Sequence, residues 1–132
     1  MKRLFLPAIL VSSLVFSGCA TLSAPHTPPE GSAERNAILQ ATREALVRQG
    51  RKDLVPVVAD LKVHDGWAWI EVKPQSADKR NRYQSQSALL QEQKPKWKLL
   101  EWMPSEQGTD YPKYFTELKA KYPNTPRDIL PQ

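Results

Sequence analysis

Apolar and polar positions alternate most clearly from Val57 to His64, where Val57, Ala59, Leu61 and Val63 are spaced by Val58, Asp60, Lys62 and His64. A period of two predicts a strand with one buried face. Asp65-Gly66 follows as a two-residue hairpin turn, because glycine accepts positive φ and aspartate tolerates it. The second strand runs from Trp67 to Lys73. Folding the chain at that turn sets Val63 against Ala68, Leu61 against Ile70 and Ala59 against Val72, all apolar pairs, so the register is self-consistent. The opposite face pairs His64 with Trp67, Lys62 with Trp69 and Asp60 with Glu71. Pro56 predicts that the first strand begins at a sheet edge.

A helical period precedes this hairpin. Ala37, Ile38, Ala41, Ala45 and Leu46 form an apolar stripe within a helix expected over about 33–49. Ser32 supplies an N-cap, Glu34 suits the positive helix end, and Gly50 is a C-terminal stop. After a loop over 74–82, strands are expected near 83–91 and 97–103, turning around Gln93-Lys94-Pro95-Lys96. Pairing Glu92 with Trp97 sets Leu90 against Leu99 and Leu89 against Leu100, so both faces of this hairpin are apolar, as in a sheet covered on two sides. Tyr114, Phe115, Leu118 and Tyr122 then recur at helical spacing between Pro112 and Pro123. Pro126 and Pro131 predict an irregular tail around Ile129 and Leu130. The expected fold class is α+β: an N-terminal helix packed on a four-stranded antiparallel meander sheet, with a short C-terminal helix. The order resembles the cystatin-like and NTF2-like folds, in which a helix lies across a curved sheet. Asp65-Gly66-Trp67-Ala68-Trp69, Ser87-Ala88-Leu89-Leu90 and Trp97-Lys98-Leu99 also resemble segments of small exported proteobacterial proteins. Such folds host enzymes, inhibitors and scaffolds, so the fold does not choose a function.

The N-terminus changes the picture. Met1-Lys2-Arg3 is followed by an apolar run from Leu4 to Phe16 and then Ser17-Gly18-Cys19-Ala20. The run is too short to span a bilayer comfortably, which takes ~20 apolar residues, and the chain beyond it is polar and proline-rich. This layout predicts an export signal. Phe16-Ser17-Gly18-Cys19 resembles the lipobox of bacterial lipoproteins, although Phe16 stands where an aliphatic residue is usual. The resemblance implies diacylglycerol on the Cys19 thiol, cleavage just before it, and anchoring through that lipid. Non-acidic Ala20 implies outer-membrane sorting, on the periplasmic side, in a two-membrane bacterium. An ordinary secretory signal cut after Ala20 is the alternative. Cys19 is the only cysteine, so no internal disulfide can form. The expected division is a signal over 1–18, a lipidated cysteine and flexible proline-rich tether over 19–32, and one small domain over 33–132.

The formal charge of +5 overstates the mature protein's basicity, because loss of Lys2 and Arg3 leaves 17 basic against 14 acidic residues, or +3. That excess, in an exported chain, does not point to nucleic acid. His64 is the sole histidine of the expected domain and reads as a surface hairpin residue. Asp60 and Glu71, opposite each other, could hold a cation or share a proton, or stand as solvated cross-strand acids. The chain has neither a cysteine pair nor a glycine-rich phosphate loop, and no cofactor or metal site is expected. Two features suit binding. Trp67 and Trp69, with Lys62 opposite Trp69, share the face away from the expected core; they form an interaction site if exposed, or lie under the C-terminal segment if covered. Lys79, Arg80 and Arg82 form a basic loop that could meet lipid phosphates or an acidic partner, or be a solvated loop. The expected function is a non-catalytic binding or scaffold module, held on the membrane by lipid and facing a periplasmic protein or cell-wall polymer. The alternative is an NTF2-like small-ligand-binding or enzymatic domain, which needs a deep pocket between helix and sheet.

Overall fold

A computed structural model describes residues 24–131. Cys19 and the signal lie outside the described residues. Helix α1 spans Ala33–Arg48, strands β1 to β4 span Leu54–His64, Trp67–Ser76, Gln86–Gln93 and Lys96–Trp102, helix α2 spans Tyr111–Lys121, and a 3-10 turn covers Arg127–Ile129. The strands form one antiparallel sheet in the order β1-β2-β3-β4. The protein is thus α+β, a helix followed by a four-stranded meander and a short C-terminal helix.

Local chemistry explains the helix ends. The Ser32 hydroxyl accepts from the Arg35 N–H at 3.3 Å, satisfying one of the donors that a helix start leaves open. At the other end Gly50 adopts φ 76°, and the Arg51 N–H returns to the Leu46 carbonyl at 2.9 Å. Asp110 caps α2 through the Lys113 N–H at 3.0 Å.

The first hairpin keeps the expected register from His64↔Trp67 through Val63↔Ala68, Lys62↔Trp69 and Leu61↔Ile70 to Asp60↔Glu71. It then departs from expectation: Val72 pairs with Val58, and Ala59 is the extra residue of a bulge. The bulge moves Val58 to the α1 side and leaves Val57 exposed. The second hairpin behaves alike. Leu90 faces Leu99 and Glu92 faces Trp97 as expected, but Leu89 faces Glu101 because a register shift absorbs Leu100. Strand β2 also continues through Pro74 instead of ending at Lys73. There it has run past β3, and the Pro74 carbonyl accepts from the Tyr83 N–H at 2.9 Å, so the missing proline N–H costs no ladder bond. Strand β3 accordingly starts at Gln86, three residues later than the expected Tyr83.

The sheet is covered on both faces. On one, Ile38, Ala41 and Ala45 of α1 meet Leu61, Val63, Ala68, Ile70, Val72, Ala88 and Leu90. Ile38, Ala68, Ile70, Val72, Ala88 and Leu90 are 0% exposed, so the centre of this layer is filled, and a cleft of ≈ 260 Å³ lies at its edge between α1 and Pro95, Lys96 and Trp97. On the other face Trp67, Trp69 and Leu89 lie beneath Leu118 of α2 and Ile129 and Leu130 of the tail, with Tyr114, Phe115 and Tyr122 around them. Each large apolar side chain so buried contributes about 1.5–3 kcal/mol. The tail is therefore a part of the core and not a loose end.

Part of the expected tether is docked as well. The backbones of His26 and Val63 exchange hydrogen bonds of 2.9 and 2.8 Å along the free edge of β1. The Thr27 hydroxyl donates to the Leu61 carbonyl at 2.8 Å, and Pro28 is fully buried. Arg35 donates to the Pro28 carbonyl at 3.1 Å. The folded unit thus begins near His26, ahead of the expected boundary at Ala33, because these residues cover an edge that β1 would otherwise expose.

Candidate functional site

The expected tryptophan face is not an open surface. Trp67 is 7% and Trp69 3% exposed. The rings of Trp67 and Tyr122 lie 6.1 Å apart, and those of Trp69 and Phe115 lie 5.6 Å apart, both tilted. Such tilted contacts are favourable for aromatic pairs and add to the area they bury. The binding reading of Trp67 and Trp69 required exposure. The physical reason it fails is the amphipathic stripe of α2, continued by Ile129 and Leu130, which has this face of the sheet as its apolar partner.

His64 takes part in that closure. Its Nδ1 lies 2.8 Å from Asp128 Oδ1, and its Nε2 lies 3.4 Å from Asp65 Oδ2. The imidazole thus ties the end of β1 to the turn that delivers Ile129. Lys119 extends the fastening from α2, donating to the carbonyls of Pro123 and Thr125. Beside these fastenings the second layer retains unmet polar atoms: the Tyr114 hydroxyl and Thr125 Oγ1 are buried without a hydrogen-bond partner. Burial, with the nearby Glu101, raises the Tyr114 phenol well above its ordinary pKa.

Lys62 stands on the rim of a cleft where this cover stops. Asp60, Lys62, Trp69 and Glu71 form its wall on β1 and β2, with Ser85 and Ser87 beyond them. Met103, Ile129 and Pro131 close the other side, and the cleft volume is ≈ 450 Å³. The expected pairing of Asp60 with Glu71 is present across the strands. The cleft therefore joins two carboxylates, one ammonium and two hydroxyls over an apolar floor. Among the described residues there is no group of three or more His, Cys, Asp or Glu side chains arranged to hold a metal ion.

Lys79, Arg80 and Arg82 are exposed in the β2–β3 loop. The loop begins at Ser76, seven residues along β2 from Trp69, or about 23 Å at strand spacing. The structure therefore does not bring these cations to Lys62. The loop has a defined shape of its own. The Ser76 hydroxyl donates to the Asp78 carboxylate at 2.5 Å and the Arg80 N–H donates to it at 3.0 Å. These two bonds hold the Asp78 carboxyl below its ordinary pKa. Lys79 sits at φ 64°, and Arg82 pairs with Gln75 in an isolated bridge.

The loop also has company that the sequence reading missed. Arg51 stacks over the Tyr83 ring at 5.6 Å, joining the end of α1 to the loop. Val47, Val55, Val57 and Tyr83, exposed by 55%, 38%, 42% and 41%, gather at this same end of the sheet. The signal lay in the positions themselves: apolar residues at 55 and 57 placed, by the bulge, on the same face as Trp67 and Trp69 but outside the cluster that α2 and the tail cover. No family model matches the chain, and no curated protein or solved structure matches it either.

Proposed function

We propose that the chain is an envelope lipoprotein: a small α+β domain, exported and held on the periplasmic side of an outer membrane by lipid on Cys19, that acts as a non-catalytic binding or scaffold module. The observation that carries the reading is the run Lys2-Arg3, Leu4 to Phe16 and Ser17-Gly18-Cys19, which places one thiol seven residues before the first docked residue, His26. The two acyl chains of a diacylglycerol on that thiol make anchoring practically permanent, at ~0.8 kcal/mol for each buried methylene. The filled centre of the layer between α1 and the sheet supports a scaffold, since an NTF2-like enzyme would keep a deep pocket there. Replacement Cys19→Ser tests the anchor. The variant is expected to be washed from membranes or to persist as an uncleaved precursor. Maturation and fractionation like the wild type would refute the lipoprotein reading. Crosslinking and affinity purification of the lipidated protein from its own membrane would then identify a periplasmic protein or cell-wall polymer held by the domain.

The cleft beside Trp69 favours a second reading, a small-ligand site with Asp60, Glu71 and Lys62 as its polar contacts. A ligand carrying both amino and carboxyl groups matches those charges. Ligand-induced chemical shifts confined to these three residues and Ser87, abolished by Asp60→Asn with Glu71→Gln, would favour it over the scaffold.

A further inference from the structure

The sheet has two unlike ends. At the end where β1 begins and β2 stops, Arg35, Arg51, Lys52, Lys73, Lys79, Arg80 and Arg82 stand with Glu30, Asp53 and Asp78, a net of +4, whereas residues 24–131 as a whole carry +3, leaving −1 for the rest. Four of the five large apolar side chains that stand exposed among the described residues, Val47, Val55, Val57 and Tyr83, are interleaved with these cations. Val57 pairs with Lys73, Val55 with Gln75, and Gln75 with Arg82, so cation and apolar side chains alternate on adjacent strands. Neither a solvated loop nor an ordinary strand end calls for both kinds of residue together. Basic side chains around exposed apolar and aromatic groups are the composition of a surface that sits on anionic lipid, the cations meeting phosphates and the apolar groups entering the interface.

The anchor geometry is compatible with this surface. His26 docks on the free edge of β1 at Val63, at the opposite end of the strand from Val55 and Val57. Cys19 is five residue steps from Ala24, so its sulfur can lie at most about 18 Å of chain away. Strand β2, with 10 residues, separates the sheet ends by about 30 Å. A domain tethered so closely by the β1 edge can lie along the bilayer with that edge down, bringing Arg51, Lys52 and the loop over 79–82 to the headgroups. We propose that this basic, valine-bearing end of the sheet is a docking surface for an anionic lipid bilayer. The lateral arrangement rests on the lipoprotein reading. The surface itself does not.

Vesicle flotation separates the two. A chain beginning at Ala20 keeps every described contact, since both cores lie within residues 24–131, and it carries no lipid. It is expected to float with vesicles containing phosphatidylglycerol, to be released by high salt, and to ignore pure phosphatidylcholine. Lys79→Glu, Arg80→Glu and Arg82→Glu combined should lower partitioning roughly a hundredfold, at about fivefold for each cation near the surface. Lys94→Glu, Lys96→Glu and Lys98→Glu, with the same net charge at the opposite end, should keep most of it. Val55→Ser with Val57→Ser should weaken binding without changing its dependence on salt, a readout that stands should the first triple variant not fold. The proposal is overturned by absence of the wild type from phosphatidylglycerol vesicles, by equal losses in the two triple variants, or by retention on isolated cell-wall polymer with none on vesicles. Because acylation is absent throughout, none of these results bears on Cys19.

Discussion

Leu61 and Lys62 are adjacent, and the sheet sends them to opposite layers: Leu61 is 1% exposed under α1, while Lys62 borders the cleft. Leu61→Ala should cost ~2–5 kcal/mol through lost contacts and a cavity, and Lys62→Ala should cost under about 1 kcal/mol. Denaturant unfolding of both variants checks the face assignment, and equal costs would contradict it. The tryptophans belong to the same argument. Trp69→Ala should cost ~3–5 kcal/mol, where an exposed tryptophan would cost little. Tyr114 presents the reverse case. Its buried hydroxyl has no partner, so Tyr114→Phe removes a desolvated group and is expected to leave stability unchanged or raise it by about 1 kcal/mol. A clear loss of stability on this replacement would mean that the hydroxyl is satisfied in solution.

Among the elements, those governed by local chemistry were legible in the sequence. The Ser32 cap, the Gly50 stop and the Asp65-Gly66 turn located α1 and the first hairpin, because each rests on residues within a few positions of one another. The two bulges were not legible: Val57 and Val58 are both apolar, and Leu99 and Leu100 are too, so alternation alone fits either register. The tail over 126–131 read as irregular from its prolines, and its backbone is; its cover of the tryptophans was one of two open readings because Ile129 finds its partners on strands some forty to sixty residues earlier. Ile129→Ala tests that role. It is expected to destabilise by ~2–5 kcal/mol, as Leu61→Ala does, and to shift the emission of Trp67 and Trp69 to the red. A loss below about 0.5 kcal/mol with unchanged emission would mean that the tail does not cover the sheet. The docking of His26 and Thr27 was hidden for the same reason, since a proline-rich composition carries no sign of the strand edge it lies on.

For the whole molecule, one sheet serves both apolar layers, with β2 and β3 contributing alternate residues to each. Neither layer can open without exposing the other's strands. Heat should therefore unfold the domain in one transition, with aromatic and backbone circular dichroism coincident. Separate midpoints would mean that α2 and the tail detach first. The candidate surfaces were legible only in part. The basic loop was read directly from Lys79, Arg80 and Arg82, but its valine companions emerged only from the bulge, and the tryptophan face stood open between an exposed site and one covered by the C-terminal segment, because its cover comes from the far end of the chain. The N-terminal proposal has the opposite character, resting on a contiguous run of residues. The most direct test of the central claim is the mass of the N-terminal peptide from protein extracted from its native membrane. A lipoprotein yields a peptide that begins at Cys19 and carries diacylglycerol on its sulfur. A peptide beginning at Thr21, after an ordinary cut behind Ala20, or one beginning at Met1 with a free thiol in a matured population, would contradict that claim.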